Sequence, residues 1–337
     1  RRRDVATADM IGSSSAFKTL KSQLDKVTSS NGRVMLTGPS GAGKEVAARY
    51  IHANSSRANA PFVSVSSASI EPERMEEVLF GRESPERGVE PGLLEEAHGG
   101  VIFFDEVADM PMGTQSKILR VLLDQQFQRV GGSQTVRVDL RVVSATTRDL
   151  EAEIAAGLFR QELYHRLNVV PVRVPGLEER REDIPDLARH FIGILNATQG
   201  LPLRALSDEA EALLQTMHLP GNVRQLKNLM ERVLILGEST EAISPRELEG
   251  AEPAEGDDGR VVLSGLLATL PLREARELFE REYLLTQINR FGGNISRTAT
   301  FVGMERSALH RKLKSLGVVT SNKAGARIAH VDAQAAE

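Results

Sequence analysis

Short apolar runs alternate with longer amphipathic stretches along the first half of the chain. The runs are rich in valine, isoleucine and phenylalanine and are too short for helices, so they predict β-strands. The predicted strands are Val34–Thr37, Phe62–Val65, Val101–Asp105, Leu140–Ala145 and Val169–Val174. Strands separated by helix-length segments favour an α/β fold, in which a parallel sheet carries helices on both faces.

From about Arg181 onward the β-rich runs stop and helical patterns replace them. Ser207 is a favourable residue at a helix start, and Pro220-Gly221-Asn222 predicts a turn before the next helix. The predicted helices are Ile184–Leu195, Asp208–Met217 and Val223–Leu236. We therefore expect a linker remnant at residues 1–8, an α/β domain at 9–180 and a small helical lid at 181–248.

A change of composition follows the helical region. Residues 249–262 begin as an acidic stretch rich in glycine and proline, which is typical of a flexible linker. Beyond it, a long helix at Leu272–Phe291 and two shorter helices predict a small all-α domain over residues 263–317. The tail, residues 318–337, carries no convincing pattern and is predicted to be disordered.

The composition predicts a protein without membrane spans or disulfides. Its 337 residues suit two or three domains, 41% of them are hydrophobic, and no apolar run approaches membrane length. It has no cysteine and no secretion signal, so we expect a cytoplasmic protein. The net charge of −4 gives no global indication of nucleic-acid binding. Because the chain opens at Arg1 without a methionine, we expect that an N-terminal part precedes it.

Two motifs in the α/β region predict a nucleotide site. Residues 38–44 match the phosphate-loop pattern G-x-x-x-x-G-K directly after a predicted strand. Glycines let backbone N–H groups face the phosphates, while Lys44 can reach the β and γ oxygens. The run Val101–Asp105 ends in Asp105 and Glu106, suited to Mg²⁺ held through water and to orienting an attacking water. We expect ATP or ADP with Mg²⁺, bound by Gly38, Ser40, Gly41, Ala42, Gly43 and Lys44.

The C-terminal domain carries a helix-turn-helix pattern. Asn294 opens one short helix, Gly303 marks a turn, and Glu305 to Ser315 predicts a second helix. Leu309, Leu313 and Leu316 share its inner face. The outer face carries Arg306, Ser307, His310, Arg311 and Lys314. This arrangement predicts double-stranded DNA binding through the major groove; the alternative is an ordinary amphipathic pair with a solvated face.

Position within the second helix suggests how these side chains divide. Arg306, Ser307 and His310 lie near its start and are the candidates for base edges, whereas Arg311, Lys312 and Lys314 are candidates for phosphates. The long preceding helix is apolar on two sides: Leu278, Leu285 and Ile288 on one, and Phe279 and Tyr283 on the other. One face can pack on the short helices and leave the other for a partner. We therefore expect a homodimer that binds an inverted-repeat operator.

With these residues in view, the chain resembles the bacterial enhancer-binding proteins of the NtrC family, response regulators with an AAA+ ATPase core. The resemblance covers residues 9 to about 317 and is greatest with the NtrX branch. It rests on Ile11–Ser13, Gly38–Glu45, Leu79–Gly81, Val101–Asp109, Gln115–Gly132, Phe159–Leu167 and Pro220–Asn228, with a Fis-like match at Glu280–Gly317. It implies a phosphorylatable receiver domain in the missing part, a sensor histidine kinase and RNA polymerase as partners, and a dimer or a larger ring.

The family also implies roles for residues that spacing alone leaves open. Glu45 stands where a generic phosphate loop has serine or threonine, and the family carries glutamate there. Arg160 and Arg166 match the arginine fingers that act on a neighbouring subunit, although spacing alone fits a solvated basic helix face. Arg224 matches an arginine of the lid that contacts the γ-phosphate. Ile11 and Gly12 match the adenine pocket; otherwise they are a core residue and a turn.

Three positions depart from the family pattern. Ser66 replaces an asparagine beside the second strand that is thought to restrain the catalytic glutamate, and Thr147 replaces the asparagine after the sensor threonine. The family's Gly-Ala-Phe-Thr-Gly-Ala loop, which engages the sigma factor σ54, is replaced by the shorter, charged stretch 82–92. A charged loop with proline and no aromatic tip cannot make the same contact.

These departures leave three functional hypotheses. In the first, which we favour, the chain is a DNA-binding regulator that binds ATP or ADP and does not activate σ54. In the second, it is an ATP-hydrolysing oligomer that remodels a polymerase complex. In the third, nucleotide is a structural cofactor that stabilises the central domain without turnover. The sequence predicts nucleotide binding and leaves hydrolysis open.

Overall fold

The computed structural model describes residues 9–86, 88–237, 241–251, 272–316, 318–319 and 327–328. They divide into two compact units. The first contains the residues up to Met10 together with Ala16–Gly176. The second contains Ile11–Ser15 and the described residues from Leu177 onward. The predicted linker remnant at 1–8 and most of the predicted linker at 249–262 lie outside the described residues.

The first unit is built from strands and helices that alternate along the chain. Its strands are β1 (Val34–Thr37), β2 (Phe62–Ser66), β3 (Arg82–Ser84), β4 (Gly88–Glu90), β5 (Val101–Asp105), β6 (Gln126–Gln128), β7 (Thr135–Arg137), β8 (Arg141–Thr146) and β9 (Val170–Arg173). Its helices are α1 (Ser15–Thr28), α2 (Lys44–Ala53), α3 (Pro72–Phe80), α4 (Leu93–Glu96), α5 (Met112–Asp124), α6 (Leu150–Ala155) and α7 (Gln161–Leu167).

Five of these strands form one parallel sheet in the order β2-β5-β8-β1-β9. They are the five strands predicted from the sequence. Strand β5 shows why the apolar runs are continuous: Val101 and Phe103 pack with α1 and α2 on one face. Ile102 and Phe104 pack with α3 and α5 on the other. Since both faces are buried, every position of such a strand is apolar, and the predicted α/β class is confirmed.

Two short antiparallel hairpins were not predicted. In one, β3 pairs with β4 within the stretch 82–92, which the sequence analysis treated as a loop. In the other, β6 pairs with β7. Each strand has three residues, too few for an alternating pattern to stand out in the sequence.

The second unit is helical. Its helices are α8 (Ile184–Gln199), α9 (Asp208–Thr216), α10 (Asn222–Leu236), α11 (Pro245–Ala251), α12 (Leu272–Arg290), α13 (Ile295–Phe301) and α14 (Arg306–Ser315). The predicted starts are confirmed: Ser207 accepts from the Ala210 amide at 3.1 Å and Asn294 from the Arg297 amide at 3.1 Å. No helix in the described segments is long and apolar enough to cross a membrane.

Two predicted irregular segments contain regular structure. Helix α11 continues to Ala251 with Leu248 and Ala251 buried, so residues 249–251 of the predicted linker are helical. In the tail predicted to be disordered, β10 (Val318–Val319) pairs with β11 (Arg327–Ile328). Val318 is buried in the apolar cluster of the C-terminal helices. Burial of these few apolar side chains depends on tertiary neighbours that local composition does not reveal.

A carboxylate fixes the start of α11. Glu247 accepts from the amide and hydroxyl of Ser244 at 3.0 and 3.1 Å, which satisfies a donor at the helix start as the glutamate of a capping box does. The guanidinium of Arg204 binds the same carboxylate through two nitrogens, at 2.8 and 3.2 Å. The bonds from Arg204, followed by that from the Ser244 amide, lower the pKa of Glu247 to about 2.

We predict that Glu247→Gln destabilises the helical unit in a pH-dependent way. Because the folded pKa is about 2 against an ordinary 4.5, the contribution is full above the ordinary value and is lost as pH falls towards 2. Charged hydrogen bonds of this kind contribute about 1–3 kcal/mol. Thermal unfolding at several pH values should show a lower Tm for the variant at pH 7 and a difference that shrinks from pH 4.5 down towards pH 2. A constant difference would contradict this account.

Candidate nucleotide and DNA sites

The phosphate-loop residues lie at the carboxyl end of β1 and lead into α2, which begins at Lys44. Gly41 and Gly43 have φ angles of 71° and 103°, which side-chain-bearing residues rarely adopt. Gly38 lies so close to the next strand's end that a Cβ there would be 2.2 Å from the Val174 carbonyl oxygen. The loop therefore depends on its glycines for both conformation and close approach.

Lys44 is the buried cation of this region, with 6% of its surface exposed. Its ammonium donates to the carbonyls of Gly38 at 3.0 Å and Pro39 at 3.2 Å. Oε1 of Glu106 lies 3.6 Å from the same nitrogen. The structure thus brings the phosphate-loop lysine and the predicted catalytic glutamate together. Next along α2, Glu45 is exposed and pairs with Arg49 at 2.7 Å.

Asp105 and Glu106 end β5 beside this lysine. Burial, then the neighbouring charge of Glu106, raises the pKa of Asp105, while Lys44 acts in the opposite direction. Glu106 has a φ of 51°, an uncommon conformation for glutamate that often marks functional sites. Within the described residues no group of three or more acidic or histidine side chains could hold a metal alone. The role of Asp105 in holding Mg²⁺ through water stays a prediction.

The two substituted family positions flank Glu106 differently. Thr147 donates to Oε2 of Glu106 from its amide and from its hydroxyl, each at 3.0 Å. The Ser66 hydroxyl instead contacts the Ser69 hydroxyl at 2.8 Å. The sequence indicates Thr147 only as a departure from the family pattern. Its contact with Glu106 joins residues 41 apart in the chain, so only the structure reveals it.

Arg160 and Arg166 lie at the two ends of α7, and both side chains are exposed. The helix is anchored by Leu163 and Leu167, which are fully buried. Gln115, also buried, accepts from the Arg160 amide at 2.9 Å and donates to the carbonyls of Met110 and Leu158. Sequence analysis gave Gln115 no role; its side chain fixes the backbone from which Arg160 projects.

The remaining predicted nucleotide residues, Ile11, Gly12 and Arg224, belong to the second unit. The carbonyl of Ile11 accepts from the Arg180 guanidinium. Just after Gly12, the amides of Ser13 and Ser14 donate to Asp183 at 2.7 and 2.8 Å. Arg224 is exposed in the first turn of α10. That helix starts at Asn222, whose side chain accepts from the Leu177 amide at 2.8 Å.

The predicted DNA-reading side chains share one surface of α14. Arg306, Ser307, His310, Arg311 and Lys314 are all exposed. Leu309 and Leu313 are buried in the domain core, so the predicted inner face is confirmed. Lys312, named above as a phosphate candidate, pairs with Glu280 of α12. The other five side chains form an exposed, mostly basic surface opposite the leucines.

Helix α12 leaves an aromatic pair on its surface. Leu285 and Ile288 are buried, as expected for the face that packs on the short helices. Phe279 and Tyr283 are 54% and 40% exposed. Their rings stack with centroids 6.1 Å apart. Exposed aromatics on one helical face are typical of an interaction surface.

The β3–β4 hairpin is fastened at its base. Arg129 binds both carboxylate oxygens of Glu95, at 2.7 and 2.9 Å, and lies 3.4 Å from Glu83 of β3. Gly81 and Gly92 approach so closely that a Cβ on either would lie under 3 Å from backbone atoms of the other's segment. Strands β3 and β4 thus form a short hairpin that is closed at its base.

Three family models match consecutive parts of the chain. Residues 10–173 match the sigma-54 interaction domain. Residues 178–259 match an AAA+ ATPase lid domain. Residues 275–316 match the bacterial regulatory proteins of the Fis family. The order agrees with an α/β nucleotide-binding core, a helical lid and a C-terminal helix-turn-helix.

Curated relatives and solved structures are similar to this chain over most of its length. The nitrogen assimilation regulatory protein NtrX of Azorhizobium caulinodans is 55% identical over 318 residues, which cover 92% of this chain and 69% of the relative. The transcriptional regulator NtrC of Escherichia coli is 38% identical, covering 93% and 71%. Crystal structures of NtrX from Brucella abortus in complex with ADP and with ATP are 53% identical, with TM-scores of 0.81. They cover 94% and 92% of this chain and 71% and 70% of theirs.

We predict that Gly38→Ala destabilises the first unit more than Gly43→Ala. A methyl group at Gly38 meets the Val174 carbonyl at 2.2 Å, whereas at Gly43 nothing lies within 4 Å. Both variants bear a backbone cost of about 1–3 kcal/mol for a positive φ, and only Gly38→Ala adds a steric clash. Thermal unfolding should place Gly38→Ala several degrees below Gly43→Ala. Equal melting temperatures would show that the approach of Val174 is not a constraint.

Proposed function

This chain belongs to the NtrC family of AAA+ response regulators, in the NtrX branch, and from that premise we propose that it binds ATP or ADP and DNA without activating σ54. Members of this family are DNA-binding regulators of two-component systems. The proposal that the chain does not activate σ54 rests on the short hairpin within residues 82–92. The domain boundaries predicted above, at 180, 248 and 317, are part of the proposal.

The nucleotide proposal is supported by the setting of Lys44. Its buried ammonium faces oxygens of the phosphate loop and of Glu106. The NtrX structures from Brucella abortus, in complex with ADP and ATP, are of a protein 53% identical to this chain. Gly38, Ser40, Gly41, Ala42, Gly43, Lys44 and Glu45 would contact phosphate, with Ile11 and Gly12 at adenine and Arg224 at the γ-phosphate. Mg²⁺, held through water by Asp105, would neutralise charge on the phosphate oxygens.

The loss of σ54 activation is supported by chemistry and by shape. The stretch 82–92 contains no phenylalanine or threonine. Its strands pair in register from Arg82 with Glu90 to Ser84 with Gly88, which leaves little chain to extend. Arg129 ties the hairpin to the body of the unit through Glu83. A charged and fastened hairpin lacks the aromatic tip that a protein groove accepts.

DNA binding is proposed through the exposed surface of α14. Arg306, Ser307 and His310 would meet base edges, with Arg311 and Lys314 on phosphates. Phe279 and Tyr283 would pair two chains, so that two recognition helices meet the halves of an inverted repeat. Membership of the family suggests two further partners, RNA polymerase and a sensor histidine kinase.

An ATP-hydrolysing oligomer is the second candidate. The observation in its favour is that Arg160 and Arg166 project from a firmly anchored helix into solvent. Arginines in that position could neutralise phosphate charge in a neighbouring subunit. Asp105 and Glu106 complete the set of groups that hydrolysis needs.

The proposal predicts that the chain forms no nucleotide-dependent complex with σ54. The test mixes purified chain and σ54 with ATP, with ADP and with ADP plus aluminium fluoride, and follows the complex by sedimentation. An NtrC relative carrying the Gly-Ala-Phe-Thr-Gly-Ala loop is the positive control. ATP turnover, measured beside a Glu106→Gln variant, separates the two candidates. A σ54 complex with this chain would overturn the proposal; turnover without one would favour an oligomer with another target.

For DNA binding, we predict that Arg306→Ala weakens binding to a duplex selected by the chain from random sequences. A base-edge arginine contributes about 1–3 kcal/mol, or roughly a 5- to 150-fold change in Kd. Arg273→Ala is the matched control, because Arg273 is 90% exposed and lies on α12 away from the recognition helix. Equal losses in the two variants would indicate only a general charge effect.

The dimer is tested on the same duplex. The double variant Phe279→Ala and Tyr283→Ala should sediment as a monomer and bind half-sites independently, with its helix content unchanged. A wild-type chain that is already monomeric on an inverted repeat would remove the proposed role of this surface.

A further inference from the structure

The carboxylate of Glu106 is held from two sides. Thr147 donates to Oε2 from its amide and its hydroxyl, each at 3.0 Å. Lys44 lies 3.6 Å from Oε1. The glutamate therefore links the end of β8 to the phosphate loop, and both of its oxygens are engaged.

Lys44 is the group for which a nucleotide would have to compete. An ammonium has three donors, and here it faces the carbonyls of Gly38 and Pro39 as well as Glu106. A phosphate that binds Lys44 brings negative charge towards the carboxylate of Glu106. Like charges at such distances repel strongly in a partly buried setting. Phosphate binding and the Lys44–Glu106 contact therefore oppose each other.

Thr147 decides how firmly the carboxylate stays in that position. The Ser66 hydroxyl contacts the Ser69 hydroxyl at 2.8 Å rather than the carboxylate of Glu106. Thr147 is exposed, so its hydroxyl contributes through this contact rather than through core packing. Glu106 also has a left-handed backbone conformation, which fixes where its side chain starts.

We propose that Thr147 is a positioning residue that holds the carboxylate of Glu106 against Lys44, so that Glu106 competes with nucleotide phosphate for the ammonium. The inference rests on the nucleotide binding proposed above and adds a regulation of that site. Removing the Thr147 hydroxyl loosens the carboxylate and weakens the competition. Nucleotide affinity is then raised. Removal of a side chain that itself binds phosphate would instead lower the affinity.

The test is a double-mutant cycle on nucleotide affinity, measured by calorimetry with ADP and with ATP. Thr147→Val removes the hydroxyl donor and keeps the shape, and it should tighten Kd by roughly three- to ten-fold, the net contribution of one ordinary hydrogen bond at an exposed position. Glu106→Gln removes the competing charge and should tighten Kd at least as much. The double variant should match Glu106→Gln, because Thr147 acts only through Glu106.

Controls separate this inference from a general change in the domain. Thr147→Ser retains the hydroxyl and should bind as the wild type does. Ser66→Ala should also leave Kd within two-fold of the wild type, and melting temperatures should be similar for all variants. The inference is overturned if Thr147→Val leaves Kd unchanged, weakens it, or tightens it equally in the Glu106→Gln background. A wild-type chain that binds neither nucleotide would instead overturn the proposed function.

Discussion

The phosphate-loop edge of the parallel sheet is organised around the burial of the Lys44 ammonium. An unpaired buried ammonium is very unfavourable, so Lys44 requires oxygen partners close by. They are the carbonyls of Gly38 and Pro39 and the carboxylate of Glu106. Two strands must therefore end at the same edge of the sheet, with β8 between them. The order β5-β8-β1 provides this arrangement, and Thr147 at the end of the middle strand reaches Glu106.

In the second unit a buried carboxylate, that of Asp183, likewise requires hydrogen-bond donors around it. Asp183 is fully buried and accepts from Ser13, Ser14 and Arg180. These bonds attach the segment Ile11–Ser14 to the start of α8. The adjacent Glu182 lies 3.6 Å from Arg297 of α13. Arg290 of α12 donates to Gln215 of α9 at 2.9 Å. The lid and the DNA-binding helices are thus joined by polar contacts within this unit.

The family indicates the general activity of the chain, and the positions predicted to depart from the family pattern indicate how this chain differs from other members. Similarity to NtrX and NtrC extends over more than nine-tenths of its length. The β3–β4 hairpin and the contact between Thr147 and Glu106 lie at positions that were predicted to depart from the family pattern. Both are visible as mismatches in the sequence, but their consequences are geometric. Strands β3 and β4 pair as a short hairpin, and Thr147 supplies a hydrogen-bond partner for Glu106.

Sequence alone determined the elements with strong local signals. The central strand β5 is apolar from Val101 to Phe104 because both of its faces are buried, and the helix starts at Ser207 and Asn294 follow from side-chain caps. The phosphate loop and the basic face of α14 were predictable for the same reason: their chemistry lies within a few neighbouring residues. The roles assigned to Arg160, Arg166 and Arg224 came from the family, and they stay predictions.

Tertiary structure decided what depends on residues distant in the chain. The three-residue strands of the hairpins, the helical residues at 249–251 and the pairing of β10 with β11 have little local pattern and form through their neighbours. The same holds for Gln115 beneath Arg160 and for Thr147 beside Glu106. A hydrogen bond across 41 residues leaves no periodic trace in a sequence, because only the folded sheet brings its two ends together.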